Sequence, residues 1–424
     1  MAGAAGQTGT MSLPTEPLTA RVCVAGGGPA GMMLGVLLAR AGVDVLVLEK
    51  HADFLRDFRG DTVHPSTLEV MHELGWLESF LRRPHQELRE IGGYVGDERV
   101  LIADFSHLPT RCRFVAFMPQ WDFLDFLVER GRRYPTFHLE MQAEVDALLV
   151  EQDRVVGVTA NTPGGRLEAR APLTIGADGR HSVVRERAGL RVDELGVPID
   201  VLWMRLSRRP DDPGQTFGYL RGGHILVMLD RGDYWQCAFV IPKGGHNELR
   251  RQGLPSLRDT IAAMVPFLRD RVGELKDWDA VSLLTVKIDR LREWQRPGLL
   301  CIGDAAHAMS PIGGVGINLA IQDAVAAANL LFEPLRGGTL TIDALRSVQR
   351  RREFPTRATQ RLQVLMQDRV LGRVLGGGAF RKLPLAARLL RDHPIVRRIP
   401  ARMIGVGFRP EHVRTPDAFP DPGR

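Results

Sequence analysis

Three short apolar runs in this chain, Val22 to Ala25, Leu173 to Ile175 and Leu299 to Ile302, each lead straight into glycine. An unbroken apolar run of this length predicts a strand buried on both faces, as in a parallel sheet with helices above and below. After the first run the glycines stand at Gly26, Gly28 and Gly31. An apolar stretch to about Ala41 then predicts a helix, and a second strand ends at Glu49. After the third run come Gly303-Asp304 and a loop with Gly313, Gly314 and Gly316. From Ile317 through Asn329 the alanine-rich text predicts a helix whose free N–H groups face any ligand at the loop.

Elsewhere the pattern changes. A helix is predicted from Pro65 or Ser66, and another from about Gln120 with Leu124, Leu127 and Val128 on one face. Two or three strands follow from His138 to Val158, then a hairpin around Pro163-Gly164-Gly165. Between about Val192 and Arg290 strands occur without glycine-rich ligand turns. Alternation there puts His224, Leu226 and Met228 on one face and Ile225 and Val227 on the other. Beyond Leu340 the text is arginine-rich and helical, a cover over the first domain or an amphipathic surface segment.

The expected fold class is therefore α/β, a Rossmann-like dinucleotide-binding domain discontinuous in sequence, with a mostly antiparallel β-sheet substrate domain and a C-terminal helical segment. The expected division is a disordered tail over 1–19, the nucleotide domain from 20–90, 114–190 and 291–340, the substrate domain from 91–113 and 191–290, and the helical region over 341–424. At 424 residues and 44% hydrophobic, the chain is long enough for both lobes. The formal net charge of +6 does not point to nucleic acid, because the basic residues are almost all arginine and are dispersed among acids. Cys23, Cys112, Cys237 and Cys301 form no C-x-x-C pair and read as core residues of a reducing, cytoplasmic compartment. The N-terminus has no secretory pattern, and no apolar run is long enough to predict a transmembrane segment.

The chemistry sits at the glycine turns. Gly26 makes a tight turn, Gly28 admits a pyrophosphate to the backbone, Gly31 packs helix on strand, and Glu49 is placed to accept ribose hydroxyls. Asp304 lies at a strand's carboxyl end, where open α/β sheets bind ligands. Asp178, in Gly176-Ala177-Asp178-Gly179, either caps the next helix or contacts a cofactor, and Arg185 lies near anionic groups. Arg59 reads as either a surface arginine or a phosphate contact. Trp203, Phe217, Tyr219, Met228, Trp235 and Phe239 either line a pocket for a flat organic substrate or form the core of their sheet.

In this order and spacing the three signals resemble the flavin-dependent aromatic hydroxylases, single-component monooxygenases with the para-hydroxybenzoate hydroxylase fold, over most of Arg21 to Phe332. The resemblance implies that Gly26, Gly28, Pro29, Ala30 and Gly31, with Glu49 and the adjoining Lys50, hold the adenosine and pyrophosphate of FAD. It implies that Asp178-Gly179 serves FAD and NAD(P)H. Asp304, His307, Pro311, Gly313, Gly316, Ile317 and Asn318 would bind the ribityl chain and ring. Arg59 and Gln120 match positions that contact FAD, and Val145 packs at the adenine. The implied activity uses NAD(P)H and O2 to hydroxylate an aromatic or polycyclic small molecule through a flavin C4a-hydroperoxide. A flavin epoxidase, oxidase, dehydrogenase or a flavin-bearing sequestering protein are the alternatives on the same fold. Pro311 is the first pocket candidate, with Trp203, Tyr219, Met228 and Trp235 behind it. The helix at Gly316 to Asn318 would favour an anionic flavin by about 0.3 to 2 kcal/mol. Neither a halogenase tryptophan motif nor room for a thioredoxin-like C-terminal domain is expected. With tyrosine only at Tyr94, Tyr134, Tyr219 and Tyr234, no tyrosine relay carries over, and the acid-base residue is unassigned.

Overall fold

In a computed structural model of the chain, residues 16–55, 62–213, 217–367 and 385–420 are described. The three apolar runs become neighbouring strands. The central sheet runs in the spatial order Gln295–Arg296, Leu299–Cys301, Leu173–Gly176, Val22–Ala25, Val45–Glu49, Phe137–Met141. All its pairs are parallel except the edge pair between Gln295–Arg296 and Leu299–Cys301. Thr174 sits between Cys23 on one side and Leu299 on the other, so the three glycine turns leave the same edge side by side.

Both faces of this sheet are covered, which is why its strands are apolar throughout. Helices Pro29–Arg40, Gln120–Gly131 and Gly316–Arg336 pack together on one face. On the other, Cys23, Leu46 and Leu48 meet Val158, Ala160, Leu167 and Ala169 from the three-stranded meander of Glu144–Glu151, Arg154–Thr162 and Gly165–Arg170. Leu18–Thr19 adds a parallel edge strand to that meander, against Ala169 and Arg170. The expected tail therefore ends before residue 18, and residues 1–15 lie outside the described residues.

The second lobe is a seven-stranded sheet, in the order Ser282–Leu284, Ile199–Ser207, Tyr234–Pro242, His224–Asp230, Phe217–Arg221, Glu90–Val95, Glu98–Asp104. Every pair is antiparallel except Phe217–Arg221 with Glu90–Val95. Alternation divides its residues cleanly. Leu202, Met204, Leu226, Met228, Trp235, Cys237 and Phe239 face the helix Leu254–Met264, while Val201, Ala238, Ile225 and Val240 lie on the opposite face.

The helix Gly316–Arg336 belongs to a segment apolar and long enough to cross a membrane by composition, but Ala320 to Ala328 are buried against the helices and sheet of the first domain. It is a core helix. After it come Ile342–Met366, Leu385–Asp392 and Arg398–Gly405. The expectation of a helical region to the end is corrected here. From about 407 to 420 the chain is neither helix nor strand and clamps the first domain, with Arg40 donating to Thr415 O at 2.7 Å and Asn329 to His412 O at 2.8 Å. An irregular segment leaves its backbone groups to be satisfied by other elements, and these bonds do so.

Candidate functional site

The first turn is pressed onto the second. Gly26 has φ +105, and a Cβ there would lie 2.4 Å from Ala177 O, so only glycine fits. Glu49 is buried and bonds this turn directly, its Oε2 accepting from Gly27 N at 2.9 Å and its Oε1 from His51 N at 3.1 Å. Gly28 precedes helix Pro29–Arg40 with no side-chain cap, and a Cβ built on it would meet nothing within 4 Å. Unpaired helix N–H groups facing open space make a cradle for an anion. Lys50, next in the chain to Glu49, is exposed.

In the second turn Asp178 does what a capping residue does: Oδ2 accepts from Val184 N at 3.1 Å, beside the Ser182 cap on Arg185 N. Its Oδ1 is buried with no hydrogen-bond partner, and burial raises the carboxyl pKa despite the opposing Ser182 and Val184 bonds. A buried orphan acceptor is satisfied by a ligand donor such as a hydroxyl. Arg185, expected near anions, is held by Asp289 at 3.3 Å.

Gly303 opens the third turn at φ +58, where a Cβ would crowd Ala30 and Ala320 at 3.0 and 3.1 Å. Asp304 is thereby presented at the strand end, about one-third exposed, with its Oδ2 3.6 Å from Arg180 Nη2 of the second turn. Pro311 is exposed, and Gly313 and Gly314 take φ of +79 and +62. The helix then starts at Gly316, again without a side-chain cap, with Ile317 half-buried.

Asn318 departs from expectation. Its Oδ1 accepts from His64 N at 2.8 Å and Thr67 Oγ1 at 2.7 Å, and its Nδ2 donates to Thr62 O at 3.0 Å, so the side chain is fully taken. Only its backbone remains for a ligand. His307 is likewise buried, with Nε2 2.5 Å from Asp323 Oδ2, and serves the inside of the turn. Gln120 is the half-buried first residue of its helix, and Val145 is half-buried between the two cores that flank the sheet. Arg59 lies outside the described residues.

Three pocket candidates are corrected. Trp235 is fully buried toward the Leu254–Met264 helix, with Nε1 donating to Asp212 at 2.8 Å; Met228 shares that core, and Tyr219 packs against it and stacks on Tyr94 at 5.3 Å. Alternation identifies two faces but not which of them meets the first domain. The face that does carries Ile199, Ile225 and Val240, which pack with Ile312 of the glycine loop. Trp203 remains on it, packed with Val201, Ala238 and Val227.

Sequence reading missed His64, Asp323, Arg352 and Glu411. Burial pushes His64 down to about 4, with its bond to Ile404 O opposing. Burial alone would raise Asp323, but the facing His307 and Arg352 hold it below the usual carboxylate range. An acid inside the alanine-rich run after Ile317 was the available signal.

The three turns thus converge on one strand edge with two uncapped helix N-termini, a buried ribose-type acceptor and an orphan carboxylate oxygen, a donor and acceptor set that fits FAD. A family profile described as FAD binding domain matches residues 19–361. The chain is 35% identical over 413 residues to a 6-methylpretetramide 4-monooxygenase of Streptomyces rimosus, covering 96% of this chain and 97% of that one. It is 30% identical over 318 residues to a dialkyldecalin synthase of Streptomyces rugosporus, covering 72% and 63%. Among solved structures, an anhydrotetracycline hydroxylase from Streptomyces rimosus shares the fold, with TM-score 0.71 at 23% identity over 92% of this chain and 76% of that one. The chain belongs to the FAD-binding monooxygenases, the aromatic hydroxylases of the para-hydroxybenzoate hydroxylase fold. It is an FAD-dependent flavoprotein monooxygenase, of the class that draws its electrons from NAD(P)H.

Proposed function

We propose that this enzyme hydroxylates a polycyclic aromatic, polyketide-like small molecule in the cytoplasm. FAD would be held by Gly26, Gly28, Pro29, Ala30, Gly31, Glu49, Lys50, Arg59, Gln120, Val145, Asp178, Asp304, Gly316, Ile317 and the backbone of Asn318. The observation that carries the substrate class is the 35% identity, end to end, with a relative named for a 6-methylpretetramide. The sheet face opposite the glycine loop supports it, since Ile225, Val240, Val201 and Ala238 offer an apolar wall to a flat ring system. The four buried free thiols support a reducing compartment.

When bound, FAD reduced by NAD(P)H supplies the activation of O2 and its transfer to the ring. The chain's own contribution is positional and electrostatic. Glu49 orients the first turn through Gly27 N. The uncapped start of helix Gly316–Arg336 favours negative charge at the loop. Pro311, exposed on that loop, bounds the substrate side, and the apolar sheet face excludes water. With Tyr94 and Tyr219 stacked on the other side and burial pushing Tyr219 up to about 12, no tyrosine is placed to ionise a substrate phenol from that pair.

The test is stopped-flow NAD(P)H oxidation by the purified enzyme across simple phenols and tri- and tetracyclic aromatics, with product analysed under labelled O2. Polycycle-stimulated reduction and one labelled oxygen per product support the proposal. Conversion of a polycycle without NAD(P)H consumption counts against hydroxylation of that substrate, and stimulation by simple phenols alone sinks the substrate class.

A further inference from the structure

A buried run of charges joins the third turn to the irregular C-terminal segment. Asp323, fully buried, accepts from Gly303 N at 3.2 Å through Oδ2, while its Oδ1 accepts from Arg352 Nε at 2.9 Å. Arg352, also fully buried, donates through Nη1 to Arg409 O at 3.2 Å and to Glu411 Oε1 at 3.3 Å. Arg351 closes the outer end, its Nε donating to Glu411 Oε1 at 2.7 Å. Arg409 enters this cluster at φ +48, a backbone conformation that its side chain disfavours and that its contacts must hold.

Two carboxylates are matched here by two guanidinium groups, and His307 Nε2 holds Asp323 Oδ2 from the other side at 2.5 Å. A buried ion pair persists only while each charge keeps its partners, and removing one leaves the other uncompensated. Without Glu411, Arg352 loses one of its two carboxylate partners, and the carboxylate that holds Gly303 N is set less firmly. Gly303 immediately precedes Asp304, so the C-terminal segment reaches the cofactor turn through a continuous path of hydrogen bonds.

We propose that Arg409–Glu411 is a clasp on the cofactor turn, with Asp323, Arg352 and Glu411 as positioning residues that set Gly303 and Asp304 without touching FAD. The clasp rests on the reading that the Asp304 turn holds FAD.

The test is a double-mutant cycle on the full chain, reading the FAD dissociation constant by flavin fluorescence and the shape of the bound flavin's visible absorbance. Glu411→Gln is expected to weaken FAD binding about tenfold and to alter the absorbance, as when an outer-shell support is removed. In an Asp323→Asn background, where the path is already cut, the same change should alter affinity within only about twofold. Unchanged affinity in Glu411→Gln, or an equal loss in both backgrounds, overturns the clasp. Arg351→Gln removes the half-exposed one of Glu411's two cationic partners while Arg352 keeps both carboxylates, and it covers the case in which Glu411→Gln fails to fold. It should weaken FAD binding about two- to threefold, again only when Asp323 is present, and no loss overturns the proposal. A wild-type protein that binds no FAD would instead sink the Asp304 reading.

Discussion

Arg180 and Asp304 come from different glycine turns, yet their side chains lie 3.6 Å apart, each about one-third exposed. A pair this accessible contributes roughly 0 to 1 kcal/mol to stability, so neither residue is explained by the fold alone. Replacing Asp304 with alanine should change the melting temperature of the FAD-free protein little, while the purified protein loses its yellow colour. Normal flavin absorbance in Asp304→Ala would remove this residue from the cofactor site.

Glu49 behaves differently because it is buried and bonds two backbone N–H groups, of Gly27 and His51. Glu49→Ala strands the buried Gly27 N, at about 1 to 3 kcal/mol, and leaves the half-buried His51 N to water, so it should lower both the unfolding free energy and FAD affinity. Glu49→Gln keeps an acceptor and should recover part of the stability. Denaturant melts with and without FAD separate the two effects, and an unaltered melt in Glu49→Ala would contradict the bonding described.

How much of this was legible in the sequence follows from what each feature depends on. The three turns could be read because strand, glycine and acid are adjacent in the chain, and Gly26 answers to a backbone that residues with a side chain rarely adopt. The far-face placement of Met228 and Trp235 could not, since alternation is symmetric until a partner layer is known. Asp323, Arg352 and Glu411 were missed because their bonds join residues 29 and 59 positions apart, with no local pattern to announce them. Asn318 was expected at the cofactor, and its side-chain amide ties the loop to Thr62, His64 and Thr67, which leaves its backbone for that role.

Burial holds the folded His64 near 4, below its ordinary value of 6.5. The unfolded chain therefore binds a proton that the folded chain refuses, and stability falls as pH drops from about 6.5 toward 4, by up to roughly 3 kcal/mol. His64→Gln should flatten this slope in unfolding measured by urea at pH 7, 6, 5 and 4. An identical slope in both proteins would assign the acid sensitivity elsewhere.

The two faces of the second sheet predict different outcomes for KM. Ala238→Phe overpacks the buried face that carries Trp203, so it should cost about 1 to 3 kcal/mol of stability and also raise KM for a polycyclic substrate about tenfold or more. Trp235→Phe breaks the bond to Asp212 in the far core and should cost about 1 to 3 kcal/mol of stability while leaving KM alone. Steady-state kinetics beside thermal melts decide this, and the reverse pattern would restore Trp235 to the pocket.

The central claim is that the three turns hold one FAD, and Gly28 tests it most directly. Its backbone is extended and a Cβ there meets nothing of the protein within 4 Å, so the methyl of Gly28→Ala enters the space assigned to the cofactor. Titration of the FAD-free protein should give one FAD per wild-type chain and at least about tenfold weaker binding in Gly28→Ala, with the FAD-free proteins differing by no more than about 1 kcal/mol in stability, the cost of a poorer helix N-cap. Equal FAD affinity in the two proteins would contradict the account.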